Sequence, residues 1–162
     1  MFSIFFSSCD YPLNLLERIN TVVDNNSWVC PIKERDYHSY YTISRNEIVL
    51  ASKQYKSSDE YYGALTHLMA HSVGDFSGVV IMDREHCKEE LICECCSAIL
   101  LSMMGMKKTV NEDSIMYKNY WKKSWEDEKF RSDIEKSVKE RLWLIINNLV
   151  KLTSNETEST DV

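Results

Sequence analysis

His67 and His71 stand four residues apart in Thr66-His67-Leu68-Met69-Ala70-His71. On a helix that spacing turns both imidazoles to one side, as a tetrahedral zinc site requires of two nitrogen ligands. Two histidines so spaced also occur as ordinary surface or core residues, so their meaning depends on what else the chain brings near them. Further on, Lys88-Glu89-Glu90-Leu91-Ile92-Cys93-Glu94-Cys95-Cys96-Ser97-Ala98 places Glu90 and Glu94 on one helix face with the apolar Leu91, Ala98 and Leu101. A carboxylate on a buried face is costly unless it is paired or coordinates a metal. Either these glutamates form ion pairs with Lys or Arg at the domain rim, or Glu90 is a third zinc ligand and Glu94 an outer acceptor that orients one histidine.

The elements that must position these groups can be read from periodicity and stop signals. Leu15, Leu16, Ile19, Val22 and Val23 fall at helical spacing before the stop Asp24-Asn25-Asn26. Ser39 to Ser44 is rich in tyrosine and β-branched residues, and Arg45-Asn46 separates it from Ile48-Val49-Leu50, which predicts a strand pair. Ser57 with Glu60 forms a capping box that starts the histidine helix, ending at Gly74. After the apolar run Val79 to Met82, a long helix extends from about His86 to Met104 and stops at Gly105. A last helical region covers about Ser114 to Leu152, with Tyr117, Trp121 and Trp125 and then Leu142 to Val150. The predicted fold class is α+β, with helices packed on one side of a small, mostly antiparallel sheet and the site between two central helices.

At 162 residues and 44% hydrophobic, the chain suits one domain with a real core. We divide it into an N-terminal extension 1–12, a domain 13–152 and a tail 153–162 too polar to bury anything. Met1 to Phe6 lack a basic flank and are soon interrupted, so they read as a strand or a packed terminus rather than a signal. No stretch approaches the roughly 20 apolar residues of a membrane span. The net charge of -6 opposes general binding of nucleic acid. The six cysteines read as free thiols of a reducing cytoplasm. Only Cys93 and Cys96 have knuckle spacing, and a helix, not a turn, surrounds them.

Taken in order, these motifs resemble the zincin-like metallopeptidase domain of the antirestriction protein ArdC family, found on plasmids and phages and in their polyvalent proteins. Tyr40 to Leu50 resembles the strand pair ahead of the site, Tyr61 to His67 with His71 to Gly74 the metal-binding helix, Glu89 to Glu94 the glutamate helix, and Tyr117 to Trp125 an aromatic segment. The resemblance spans about Leu13 to Val150. It implies zinc held by His67, His71 and Glu90, with Glu94 behind them.

The departures matter equally. Family members usually carry His-Glu-x-x-His, whose glutamate activates the zinc-bound water and shuttles its proton; here that position is Leu68. Losing a positioned base costs about 10²-fold to 10⁴-fold, so no catalytic residue is assigned. Asp75 and Glu94 are the conceivable substitutes. In the pattern His-x-x-x-His-x-x-Gly-x-x-His, Gly74 falls correctly but the third ligand position is Ser77. His38 and His86 read as surface imidazoles, His86 lying near Glu90 in sequence. The family's separate domain associated with single-stranded DNA has no counterpart in the dozen residues before the first helix, so DNA binding does not carry over.

The expected function is therefore a zinc-binding pseudopeptidase that serves a mobile element by gripping a protein or peptide partner in the cytoplasm. The alternatives are an active zinc peptidase with another base and a metal-free helical interaction protein.

Overall fold

The computed structural model describes residues 14–75, 84–109 and 112–154, the side chains of 112–116 and 118 excepted. The elements run α1 (Leu15–Asp24), β1 (Ile32–Glu34), β2 (Tyr40–Thr42), β3 (Glu47–Leu50), a 3-10 turn (Ser52–Gln54), α2 (Ser58–Ser72), α3 (Arg84–Met103), α4 (Glu112–Ser124) and α5 (Glu128–Ser154). The fold is α+β, as expected. Met1 to Phe6, Cys9, Ser77, the run Val79 to Met82 and the chain from residue 155 lie outside the described residues.

Against the expectation of a mostly antiparallel sheet, the three strands form a mixed one in the order β1-β3-β2. β2 and β3 are the anticipated antiparallel pair, with Tyr41 opposite Ile48. Their turn closes at Asn46, whose φ of 47° suits asparagine and whose side chain accepts from the Tyr41 hydroxyl at 2.9 Å. β1 runs parallel to β3 with Ile32 opposite Ile48. All four residues of the central strand β3 are buried, and its one charge, Glu47, is held by Lys33 and Arg45 from the rim.

The helix carrying the histidines is set at both ends. The Ser57 hydroxyl accepts from the Glu60 amide at 3.2 Å, and the Glu60 carboxylate reaches back to the Lys56 amide at 2.8 Å, one residue beyond the usual arm of a capping box. At the other end, Trp28 donates to Ser72 at 2.9 Å. α3 stops as its glycine predicts: Gly105 takes φ +73° and the Met106 amide returns to the Leu101 carbonyl at 2.9 Å.

α2 and α3 pack face to face through Leu65, Met69, Ile92, Cys96 and Leu100, with the hydroxyls of Thr66 and Ser97 2.9 Å apart between them. α5 closes the core with Ile134, Val138, Ile145 and Leu149. The expected single helical region after Ser114 is two helices. Asp127 breaks it, its carboxylate accepting from the amides of Lys129 and Phe130 and so capping α5. α5 continues to Ser154, two residues into the expected tail, because Thr153 bonds back to the Leu149 carbonyl and contacts Arg18 of α1. No helix among the described residues is long and apolar enough to cross a membrane.

Candidate metal centre

α2 and α3 bring His67, His71 and Glu90 together. The two Nε2 atoms face each other at 3.0 Å, and Glu90 offers Oε2 to His67 and Oε1 to His71, each at 3.3 Å. At that distance either a proton on one Nε2 or a metal cation between the two relieves the repulsion of facing lone pairs. Two ligands about 2.1 Å from one tetrahedral centre stand roughly 3.4 Å apart, close to the separation of the two Nε2 atoms and of each from one Glu90 oxygen. The donor set, two imidazoles and a carboxylate with their ligand atoms all within 4.8 Å, fits that ion.

Behind each imidazole stands a carboxylate, and behind each carboxylate a cation. Glu94 Oε1 lies 3.1 Å from His67 Nδ1 without making an aligned hydrogen bond, and Lys108 Nζ is 3.2 Å from Glu94 Oε2. Glu89 Oε1 lies 3.4 Å from His71 Nδ1, and Arg141 grips Glu89 from the other side. The Glu89 oxygen at His71 Nδ1 favours the tautomer of that ring whose Nε2 is free to ligate. Tyr41 of the edge strand β2 stacks on His71, with rings 7° from parallel and 6.5 Å between centroids.

The electrostatics follow from these pairs. Burial opposes ionisation of Glu89, Glu90 and Glu94, but the histidines, Arg141 and Lys108 outweigh it. They hold Glu89 and Glu94 down at about 2 and Glu90 lower still. Burial likewise opposes charge on His71, yet the Cys93 sulfur, Glu89 and Glu90 lift its pKa well above 6.5. In the chain stripped of metal, the raised histidine stabilises fully below pH 6.5 and the effect fades as pH rises through its folded value. The depressed carboxylates stabilise above pH 4.5 and the effect fades as pH falls toward 2. Thermal melts with a chelator should therefore show greatest stability at mildly acidic pH. Zinc, which competes with the His71 proton, should move that maximum upward. A chelated chain whose stability rises steadily from pH 5 to pH 9 would contradict this arrangement.

The remaining candidates fall as follows. Leu68 is 6% exposed and belongs to the core cluster rather than to the ring of polar groups. Asp75 is exposed just past α2, and His38 is exposed in the loop before β2. His86 is half-buried, 3.0 Å from the Tyr117 hydroxyl and 3.8 Å from Glu90, so it borders the site rather than the open surface. Cys30, Cys87, Cys93, Cys95 and Cys96 are free thiols. Burial pushes Cys93 and Cys95 up to about 11 and Cys96 higher, which leaves them protonated and inert.

Sequence reasoning passed over Glu89 and Arg141. The signal was present in α5: Arg141 falls on the buried stripe of Ile134, Val138, Ile145 and Leu149. A cation at a core position announces a buried carboxylate partner.

A family model described as zincin-like metallopeptidase matches residues 17–132, a span that takes in His67, His71, Glu89, Glu90 and Glu94 but not Arg141. No curated protein and no solved structure matches the chain.

Proposed function

We infer the function from one premise, that the chain belongs to the zincin-like metallopeptidase family. We propose that His67, His71 and Glu90 hold one zinc ion in a domain that binds a protein or peptide without hydrolysing it. We further propose that it is a pseudopeptidase of ArdC type, a cytoplasmic antirestriction or counter-defence module of a plasmid or phage. The observation that carries the loss of hydrolysis is Leu68, an apolar core residue where the family's proton-shuttling glutamate usually stands.

Zinc in this centre supplies Lewis acidity toward a carbonyl or a water molecule. The chain's own groups do the rest. His67 and His71 present Nε2, Glu94 and Glu89 hold the opposite ring nitrogens, and the cations behind those glutamates keep them ionised. Neither outer glutamate is free to take a proton from a reacting group, because each is already bound to a histidine and a cation. Binding requires no base. The edge strand β2, with Tyr40 and Ile43 exposed at and beside it and Tyr41 against His71, offers main-chain groups to an extended segment. The net charge of -6 favours a protein over a nucleic acid as partner.

The test is incubation of the zinc-loaded chain with unfolded casein, followed by gel and mass spectrometry. No cleavage beyond that seen with chelator is expected, and chelator-sensitive cleavage would defeat the proposal. A second reading, an active peptidase with another base, draws on His86 beside Glu90 and Tyr117. It requires such cleavage, lost on His86→Ala.

A further inference from the structure

We propose that Arg141 of α5 is a positioning residue of the metal centre, which holds His71 in its ligating orientation through Glu89. Gly74, on this account, is glycine because Arg141 needs the space. The proposal rests on the reading of His71 as a ligand.

Arg141 donates from Nη1 to Glu89 Oε1 at 2.7 Å and from Nη2 to Glu89 Oε2 at 3.1 Å, a two-pronged grip that fixes the plane of the carboxylate. The same Nη1 donates to the Ala70 carbonyl at 2.7 Å and lies 3.8 Å from Cys93 Sγ. One guanidinium thus joins the last turn of α2, the residue before His71, to α3 and α5. Glu89 Oε1, which Arg141 holds, is the oxygen that faces His71 Nδ1 at 3.4 Å. Arg141 is 9% exposed and Glu89 5%, so each buried charge needs a partner, and Glu89 serves Arg141 and His71 together.

Gly74 bears on the same contact. A Cβ built on it would overlap Nη1, Cζ and Nη2 of Arg141, all belonging to the guanidinium itself. Glycine at this position therefore does more than end a helix, since any side chain would force the guanidinium or the local backbone to shift, and on this proposal that loosens the grip on Glu89. His67 has a separate support, Glu94 with Lys108. The arginine lies beyond the residues matched by the family model, on a helix that otherwise meets α2 and α3 through core side chains such as Ile134, Val138 and Ile145.

Arg141→Lys keeps the charge but loses the fork, Arg141→Met loses both, and Gly74→Ala displaces the group without altering it. Three readouts apply to the full chain: zinc affinity by competition with a chromophoric chelator, the Nδ1–H proton signal of His71 in the metal-free chain, and the melting curve. We expect zinc affinity to fall about tenfold in Arg141→Lys and Gly74→Ala and about a hundredfold in Arg141→Met. The His71 Nδ1–H signal should be shifted or lost and that of His67 unchanged. Zinc affinity equal to that of the unaltered chain in both Arg141→Lys and Gly74→Ala, with the His71 signal in place, would overturn the proposal. So would an affinity loss that only tracks the unfolded fraction. If the unaltered chain takes up no zinc, the metal reading falls on its own, and the His71 signal still decides whether Arg141 holds the ring.

Discussion

Leu68→Glu should raise zinc-dependent peptidase activity about 10²-fold to 10⁴-fold over that of the unaltered protein, at a cost in stability. On the proposed reading the gain follows from supplying a proton acceptor directly after His67, where the resemblance expects a glutamate. The cost follows from burial, since Leu68 is packed in the core cluster with 6% of its surface exposed. Removing a buried leucine side chain costs roughly 2–5 kcal/mol, and a carboxylate without a partner adds to that. Zinc should offset part of it, because the new carboxylate gains a cation. Leu68→Gln is the necessary control: similar in size, it should destabilise comparably and cleave nothing. Chelator-sensitive cleavage of a fluorogenic peptide, measured alongside melting curves, separates the two. Equal activity in the Glu and Gln variants would mean that the position carries no catalytic meaning in this fold.

Loss of any one ligand should abolish the stabilisation that zinc confers. Free zinc at a hundredfold excess over its dissociation constant adds about 2.7 kcal/mol, which for a domain of this size is a rise of roughly 5–11 °C in Tm. In His67→Ala, His71→Ala and Glu90→Ala that rise should disappear at the same zinc concentration. Structural zinc sites bind with about 10–16 kcal/mol over four ligands, so each ligand is worth roughly 3 kcal/mol, or about a hundredfold in affinity. Glu94→Gln, which meets His67 on its far side and Lys108 beyond it, should lose about tenfold and keep part of the rise. Differential scanning fluorimetry across a zinc series checks all four. A full rise in Glu90→Ala would place the metal elsewhere.

What could be read in the sequence and what could not divide along a physical line. The capping box at Ser57 and Glu60, the stop at Gly105 and the turn at Asn46 act within a few residues, and each appears where local chemistry put it. His67 and His71 are presented to one side by helical spacing alone, and Glu90 and Glu94 reach them because the apolar face of α3 packs on α2. Other features depend on contacts remote in sequence. The parallel strand β1 is three residues long, too short to show a period, and exists only because β3 lies beside it. The break before α5 comes from a single capping aspartate inside a charged stretch that otherwise reads as continuous helix. Glu89 is indistinguishable from Glu90 until Arg141 is brought within 2.7 Å of it from more than 50 residues away. Gly74 shows the same limit, being legible as a helix stop but not as the space a guanidinium needs.

The most direct test of the account is the metal content of the purified chain after zinc is supplied and the excess removed, by inductively coupled plasma mass spectrometry beside His67→Ala. The account predicts about one zinc per chain, as three protein ligands at one centre would hold, and none in the variant. Absence of zinc from the unaltered chain, or an equal amount in His67→Ala, would contradict it.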